Sequence, residues 1–148
     1  MSECRSRKSL DGCDIHHRPP VHENLKIAHV SSSQDLKART KQFALRILRM
    51  YRALPAKEEA RILGRQVLRS GTSVGANYRA ACRARSKAEF VAKLGIVLEE
   101  ADETVFWLEL LLEGGIVRPE KLDALLREAR ELTAIFVTSL CTAKGIAS

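Results

Sequence analysis

Several hallmarks of enzymes are missing from this sequence of 148 residues. It contains no phosphate-binding loop, no glycine-rich dinucleotide fingerprint and no nucleophile elbow. All four histidines lie within residues 1–33, so the rest of the chain has no histidine to act as a base for its serines. We therefore predict that the protein is not an enzyme and that it uses no cofactor.

Metal, disulfide and membrane signals are also missing. The four cysteines show neither disulfide nor zinc spacing, and His16-His17 near Cys4 and Cys13 fits no standard zinc arrangement, so no metal site is predicted. Unpaired cysteines favour a cytoplasmic protein with reduced thiols. The N-terminus lacks the apolar run of a signal peptide, and charged residues interrupt the apolar stretch 90–112, so we predict no membrane association.

Positive charge is in excess, with a net charge of +7 and a pI near 9.5. Residues 36–85 carry thirteen basic groups, whereas residues 86–114 carry seven acidic groups and two basic ones. The acidic segment either packs beside the basic ones, within or between subunits, or the basic excess attracts a polyanion. Because the basic groups outnumber the acidic ones, packing accounts for only part of the charge.

Apolar residues recur at helical spacing after residue 33, and no segment is typical of a strand. The spacing, caps and breakers predict four helices, at about 35–53, 56–84, 87–113 and 119–143. Ser33 or Asp35 is the expected cap of the first helix, and Ser86 with Glu89 forms a capping-box pattern before the third. Short links predict an antiparallel up-down-up-down four-helix bundle over 34–144, between a flexible leader, 1–33, and a tail, 145–148.

The second predicted helix carries arginines along one side, at about 100° per residue. These side chains need solvent, carboxylates on a neighbouring helix, or phosphates. We predict that this stripe and the following arginine bind nucleic acid through phosphates: Arg61, Arg65, Arg69, Arg79, Arg83 and Arg85.

Two other sides of the same helix carry small or polar residues. We expect the polar stripe to fix helix register through interhelical hydrogen bonds; its members are Gln66, Ser70, Ser73 and Asn77. Gly64, Gly71 and Gly75 share one flank, although glycine inside a helix costs about 1 kcal/mol relative to alanine. Either another helix approaches closely at this flank, or the helix kinks around 71–75.

The third predicted helix has two apolar faces, and a lone bundle buries only one. We predict that the second face is an oligomer interface formed by Ile96, Phe106, Trp107 and Leu110. Its acidic border can pair with Arg46, Arg49 or Arg52 of a neighbouring subunit; the border consists of Glu99, Asp102, Glu103, Glu109 and Glu113. The alternative is that the leader or a bend covers this face within one subunit.

The segment from Gln66 to Tyr78, with the sequence QVLRSGTSVGANY, resembles the signature of the bacterial four helix bundle protein family, also called 23S rRNA intervening-sequence proteins. The later stretches AEF at 88–90, LGIV at 94–97, EEADET at 99–104 and WLELL at 107–111 fit the same family. The resemblance covers about residues 34–144. It implies an antiparallel four-helix bundle that assembles as a homopentamer, and it implies no known enzymatic activity.

A related family, the accessory variability protein of diversity-generating retroelements, looks like the same pentameric bundle with a basic surface that engages a reverse transcriptase and nucleic acid. Many relatives have a Glu soon after the asparagine of the signature, whereas here Asn77 is followed by Tyr78-Arg79-Ala80-Ala81. We therefore predict a non-enzymatic oligomer whose partners are its own copies and RNA or DNA. The alternative is a protein-interaction scaffold, or an accessory subunit for a nucleic-acid enzyme such as a reverse transcriptase.

Overall fold

The computed structural model describes the backbone of residues 21–146 and the side chains of residues 33–146. Over this range the chain forms four helices and no strand, which confirms the predicted all-helical class. The helices are α1 (Val21–Arg52), α2 (Glu58–Ala81), α3 (Lys87–Glu113) and α4 (Pro119–Lys144). Most of the predicted leader lies outside the described residues, so the division into leader, bundle and tail stays a prediction.

Two predicted helix boundaries are wrong. α1 begins at Val21, so Ser33 and Asp35 lie inside the helix and do not cap it. Each serine lowers helix stability by only about 0.5 kcal/mol relative to good helix formers. A run of three serines therefore does not end a long helix. α2 ends at Ala81, three positions short of the predicted end at residue 84, and this leaves Arg83 in the link to α3.

The boundaries of α3 and α4 follow local signals. Ser86 is the N-cap of α3, and its Oγ accepts a hydrogen bond from the backbone N of Glu89 at 3.1 Å. The Glu89 carboxylate accepts from the backbone N of Arg85 at 2.7 Å, so the capping box closes one residue earlier than its usual form. Pro119 is the first residue of α4. Gly145 comes directly after the last residue of α4, and its φ of 73° is a left-handed value that favours glycine.

Each helix packs on its neighbours in the chain, and α1 also contacts α4 over a smaller area. The Tyr78 and Phe136 rings, with centroids 5.7 Å apart, join α2 to α4 across the core. The largest fully buried side chains come from all four helices: Phe43, Ile47, Val67, Val74, Leu94, Val97, Leu108, Leu111, Leu122, Leu132 and Phe136. No helix within residues 21–146 has the length and apolar character needed to cross a membrane.

The glycine flank of α2 lies against α1. A Cβ atom at Gly71 would lie 2.8 Å from Cγ1 of Ile47, and one at Gly75 would lie 3.3 Å from the backbone O of Thr40. Close helix approach is therefore confirmed, and because α2 is continuous from Glu58 to Ala81 the helix does not break around 71–75. From Gly71 to Gly75 the contacts advance toward the C-terminus of α2, whereas on α1 they move toward the N-terminus, from Ile47 to Thr40.

Candidate nucleic-acid interface

The six predicted arginines are all exposed to solvent. The reason is the packing of α2, whose glycine flank contacts α1 while Ser70 contacts α3, so the remaining side faces outward. Four of the arginines lie on α2 itself. Arg83 and Arg85 lie in the link before α3, beyond the helical face on which Arg83 was predicted.

Arg69 differs from the others because it binds carboxylates of α3. Its Nη1 lies 3.5 Å from Oε2 of Glu100, and its Nη2 donates to Oε2 of Glu103. Of the three environments considered for the stripe, namely solvent, carboxylates of a neighbouring helix and phosphates, the carboxylates therefore apply to Arg69. Burial raises the pKa of the Glu100 carboxyl, and the Arg69 charge opposes that rise.

The Arg69 ion pairs divide the stripe into two groups. Arg61 and Arg65 lie near the start of α2 beside Glu58, whereas Arg79, Arg83 and Arg85 lie at its end. Arg65 and Arg79 are fourteen residues apart in sequence, or about 21 Å along the axis at about 1.5 Å per residue. Among the side chains of residues 33–146, neither group forms an ion pair.

Glu89 is the acidic residue beside the second group. A hydrogen bond from the Lys93 side chain, followed by one from the backbone N of Arg85, lowers the pKa of its carboxyl. Nζ of Lys93 lies 2.8 Å from Oε1 of Glu89. Lys93 therefore balances the Glu89 charge, and the guanidinium groups of Arg79, Arg83 and Arg85 keep their positive potential.

One member of the polar stripe forms a buried link between helices. The hydroxyl oxygens of Ser70 and Thr104 lie 2.9 Å apart, and both residues are fully buried. Thr104 lies on the same buried face of α3 as Leu108 and Leu111, so its spacing alone does not indicate a polar contact. Gln66, Ser73 and Asn77 are partly buried, and their role in fixing register stays a prediction.

A second polar cluster, missed in the sequence, lies where α1 meets the end of α2. Oγ of Ser33 lies 3.6 Å from Sγ of Cys82, next to Tyr78. Burial, with a smaller effect of the Cys82 side chain, raises the pKa of Tyr78 to about 12, so its hydroxyl is protonated at neutral pH and is not a ready base. Tyr78 therefore does not supply the base that would activate the Ser33 hydroxyl or the Cys82 thiol as a nucleophile.

Metal-binding signals are weak in the described part of the chain. Within residues 33–146 no three histidine, cysteine or acidic side chains converge as metal ligands, and Cys82 and Cys141 are free thiols. Cys4, Cys13 and His16-His17 lie outside the described residues.

The outer face of α3 carries exposed apolar side chains. Ile96 is 46% exposed and Phe106 is 50% exposed, whereas Trp107 and Leu110 are half-buried. The Phe106 and Trp107 rings meet edge to face, with centroids 4.8 Å apart. Nε1 of Trp107 is buried and has no hydrogen-bond partner among the described residues.

Two residues of the acidic border of this face are paired within the chain. Glu103 binds Arg69, and Oε1 of Glu109 accepts from Nη2 of Arg130 on α4 at 2.8 Å. Both partners are residues other than the expected Arg46, Arg49 and Arg52. No ion pair among the described side chains involves Glu99, Asp102 or Glu113.

The family model described as 23S rRNA-intervening sequence protein matches residues 33–138. The chain belongs to this family. The match includes all of α2 and α3 and most of α1 and α4. No curated protein matches the sequence.

A solved structure of another protein supports the same fold for this chain. It is a protein of unknown function from the S23 ribosomal protein family of Bacteroides thetaiotaomicron, with 35% sequence identity and a TM-score of 0.68. The match covers 73% of this chain and 96% of the other. Neither comparison indicates a catalytic activity.

Proposed function

We propose that the protein is a non-enzymatic homo-oligomer that binds RNA, or nucleic acid more broadly, through phosphate contacts. The observation that carries this proposal is the set of five exposed arginines without carboxylate partners among the described side chains: Arg61, Arg65, Arg79, Arg83 and Arg85. Arg69 contributes less, because Glu100 and Glu103 already bind its guanidinium. Guanidinium groups match phosphate geometry and stay charged at every physiological pH.

The mode of binding follows from the side chains near the arginines. Stacking on bases needs exposed aromatic rings, and the chain holds only one Trp, two Tyr and four Phe. Phe106, the exposed ring, lies on α3 and belongs to the apolar face. Binding is therefore tolerant of sequence and sensitive to salt, since phosphate contacts carry affinity without base readout.

The proposed assembly is a pentamer of up-down-up-down bundles. The descending contacts of α1 along α2 support the antiparallel order, and so does the link of five residues between α3 and α4. The exposed apolar face of α3 supports a contact between copies, because Phe and Trp are favoured at interfaces. Several copies of the arginine groups on one ring then increase the affinity for a long polyanion.

The test is the affinity for fluorescently labelled single-stranded RNA, measured by anisotropy between low and moderate salt. We expect the triple variant Arg79→Gln, Arg83→Gln, Arg85→Gln to bind more weakly than the unaltered protein. The slope of log K against log salt falls by about 2 if each lost contact contributes roughly 0.7. The matched control removes three positive charges elsewhere, at Arg118, Arg127 and Lys144, and we expect a smaller effect.

Two results would contradict the proposal. Equal loss of affinity in the triple variant and its control means that only overall charge matters. Unchanged binding in the triple variant means that these arginines face something other than phosphate, and it favours the protein-scaffold alternative.

A further inference from the structure

A groove with an apolar floor and a basic rim lies between α1 and α4. It encloses about 320 Å³, comparable to the smallest ligand pockets, of about 300 Å³. Met50, Leu54, Val117 and Leu125 line the floor, together with the exposed Ala53 and Ala124. Of the packed helix pairs, α1 and α4 make the fewest close contacts.

The rim of the groove consists of Arg46, Arg49 and Lys121. None of the three forms an ion pair with a described side chain. Arg46 acts on Glu128 only weakly, because hydrogen bonds from Arg39 are the main cause of the lowered pKa of that carboxyl. The groove therefore presents apolar surface together with uncompensated positive charge.

The outer face of α3 has the complementary character. Phe106 and Ile96 are exposed apolar side chains, and Glu99, Asp102 and Glu113 beside them are exposed. Apolar side chains of this face match the groove floor, and its carboxylates match the groove rim. Both surfaces thus offer apolar side chains, and the negative charge of the α3 face complements the positive charge of the groove.

The two surfaces lie at the same height on the bundle. Ile47 of α1 lies against Gly71 of α2, and the neighbouring Ser70 lies 2.9 Å from Thr104 of α3. Arg46 and Arg49 of the groove are close neighbours of Ile47 on α1, and Phe106 lies two residues after Thr104 on α3. Both surfaces therefore lie near the level of this contact. No close backbone approach joins α1 to α3 in the described part of the chain, so the two surfaces lie on different sides of the bundle.

We propose that the Phe106 face of α3 in one copy docks into the α1–α4 groove of a second copy. This inference rests on the homo-oligomer proposed above and names the two surfaces that meet. Such a contact joins two different surfaces, so it repeats head to tail and closes into a ring when the rotation between copies allows. Gly95, next to Ile96 on α3, has nothing within 4 Å of a Cβ position, which leaves room for a neighbouring backbone.

The test uses one variant for each surface, and light scattering measures the mass in solution. Ala124→Glu places a carboxylate among the groove arginines, and Phe106→Glu places a charge on the apolar face. Both sites are exposed, and glutamate is a good helix former. We expect each variant alone to have the mass of one chain, 16.5 kDa. An equimolar mixture forms a two-chain species, because one intact face meets one intact groove and the other two surfaces are blocked.

Other outcomes separate the possible failures. If the unaltered protein is monomeric, the proposed oligomer itself is wrong. If the unaltered protein is oligomeric and both Ala124→Glu and a second groove variant, Arg49→Glu, stay oligomeric, only the groove inference is overturned. If both surface variants are monomeric and their mixture gains no mass, the docking inference is also overturned. Ile146→Glu, at an exposed apolar site beyond the end of α4, is the control and keeps the assembly intact.

Discussion

On α2 the glycine flank lies against α1, whereas on α3 no described residue lies within 4 Å of a Cβ position at Gly95. A side chain at Gly71 would collide with Ile47, so the cost of glycine in α2 has its reason inside the fold. Gly95 sits mid-helix with open space around it, on the stretch of α3 that also exposes Ile96. Glycine inside a helix costs about 1 kcal/mol relative to alanine; the close approach of Ile47 explains it at Gly71, whereas no residue of the described chain explains it at Gly95.

This difference shows which helix faces find their packing partners within one chain. The side of α2 toward α1, and the inner face of α3, meet their partners within the bundle, and Leu94, Leu108 and Leu111 of α3 are fully buried. The outer face of α3 combines the exposed ring of Phe106, the exposed Ile96 and an uncrowded glycine, whereas Trp107 is half-buried and packs against the core. We proposed above that a second copy of the chain covers this face.

The largest expected effect contrasts the two faces of α3. Leu108→Ala removes a fully buried side chain, so it lowers the free energy of unfolding by about 2–5 kcal/mol. Phe106→Ala lowers it by less than about 1 kcal/mol, because that ring is half exposed in one chain. Urea unfolding in the Ala124→Glu background measures both without a contribution from assembly. Equal losses would mean that Phe106 belongs to the core of a single chain.

The next effect compares the two glycines directly. Gly71→Ala is expected to destabilise the protein by about 1–3 kcal/mol, since its Cβ would overlap Ile47, which is itself fully buried. Gly95→Ala is expected to stabilise the isolated chain by up to about 1 kcal/mol and to weaken assembly. Thermal unfolding and light scattering on the two variants separate folding from association. Stabilisation by Gly71→Ala would contradict the packing described for α1 and α2.

The smallest effect concerns ion pairs of different exposure. Nε of Arg39 donates to Glu128 at 2.8 Å, and the side chains are 36% and 19% exposed, whereas those of Arg69 and Glu103 are 52% and 46% exposed. Arg39→Gln is therefore expected to cost about 1 kcal/mol at neutral pH, and Arg69→Gln less than about 0.5 kcal/mol. Urea titrations of both variants and the unaltered protein measure this order, and a larger cost for Arg69→Gln would reverse the comparison.

The pH dependence of the Arg39 variant follows from Glu128. Arg39 holds the pKa of the Glu128 carboxyl below its usual value of 4.5, so the folded state binds its proton less readily than the unfolded state. The stabilisation is fully present above the usual value and disappears as the pH falls through the lowered pKa. Unfolding of Arg39→Gln and the unaltered protein should therefore converge in acid. A constant difference down to pH 2 would show that Arg39 acts through packing.

Much of the fold could be predicted because the signals are local. Ser86, Pro119 and Gly145 act within one turn of the helix ends that they fix. The start of α1 could not be predicted in this way, because the serine run weakens a helix without ending it.

The site was less predictable because it depends on distant contacts. The pairing of Arg69 with Glu100 and Glu103 requires the register of α2 on α3, which the spacing of either helix alone does not fix. The groove joins Arg49 to Lys121, which belong to helices far apart in sequence. Only the packed bundle brings such residues to one surface.

The mass of the purified protein in solution tests the central claim most directly, namely that copies of the chain cover the outer face of α3 and leave the arginine groups free. Light scattering across a wide concentration range should give a mass of about five chains of 16.5 kDa, and added RNA should increase it. A mass of 16.5 kDa at the highest concentration, with or without RNA, would contradict the account.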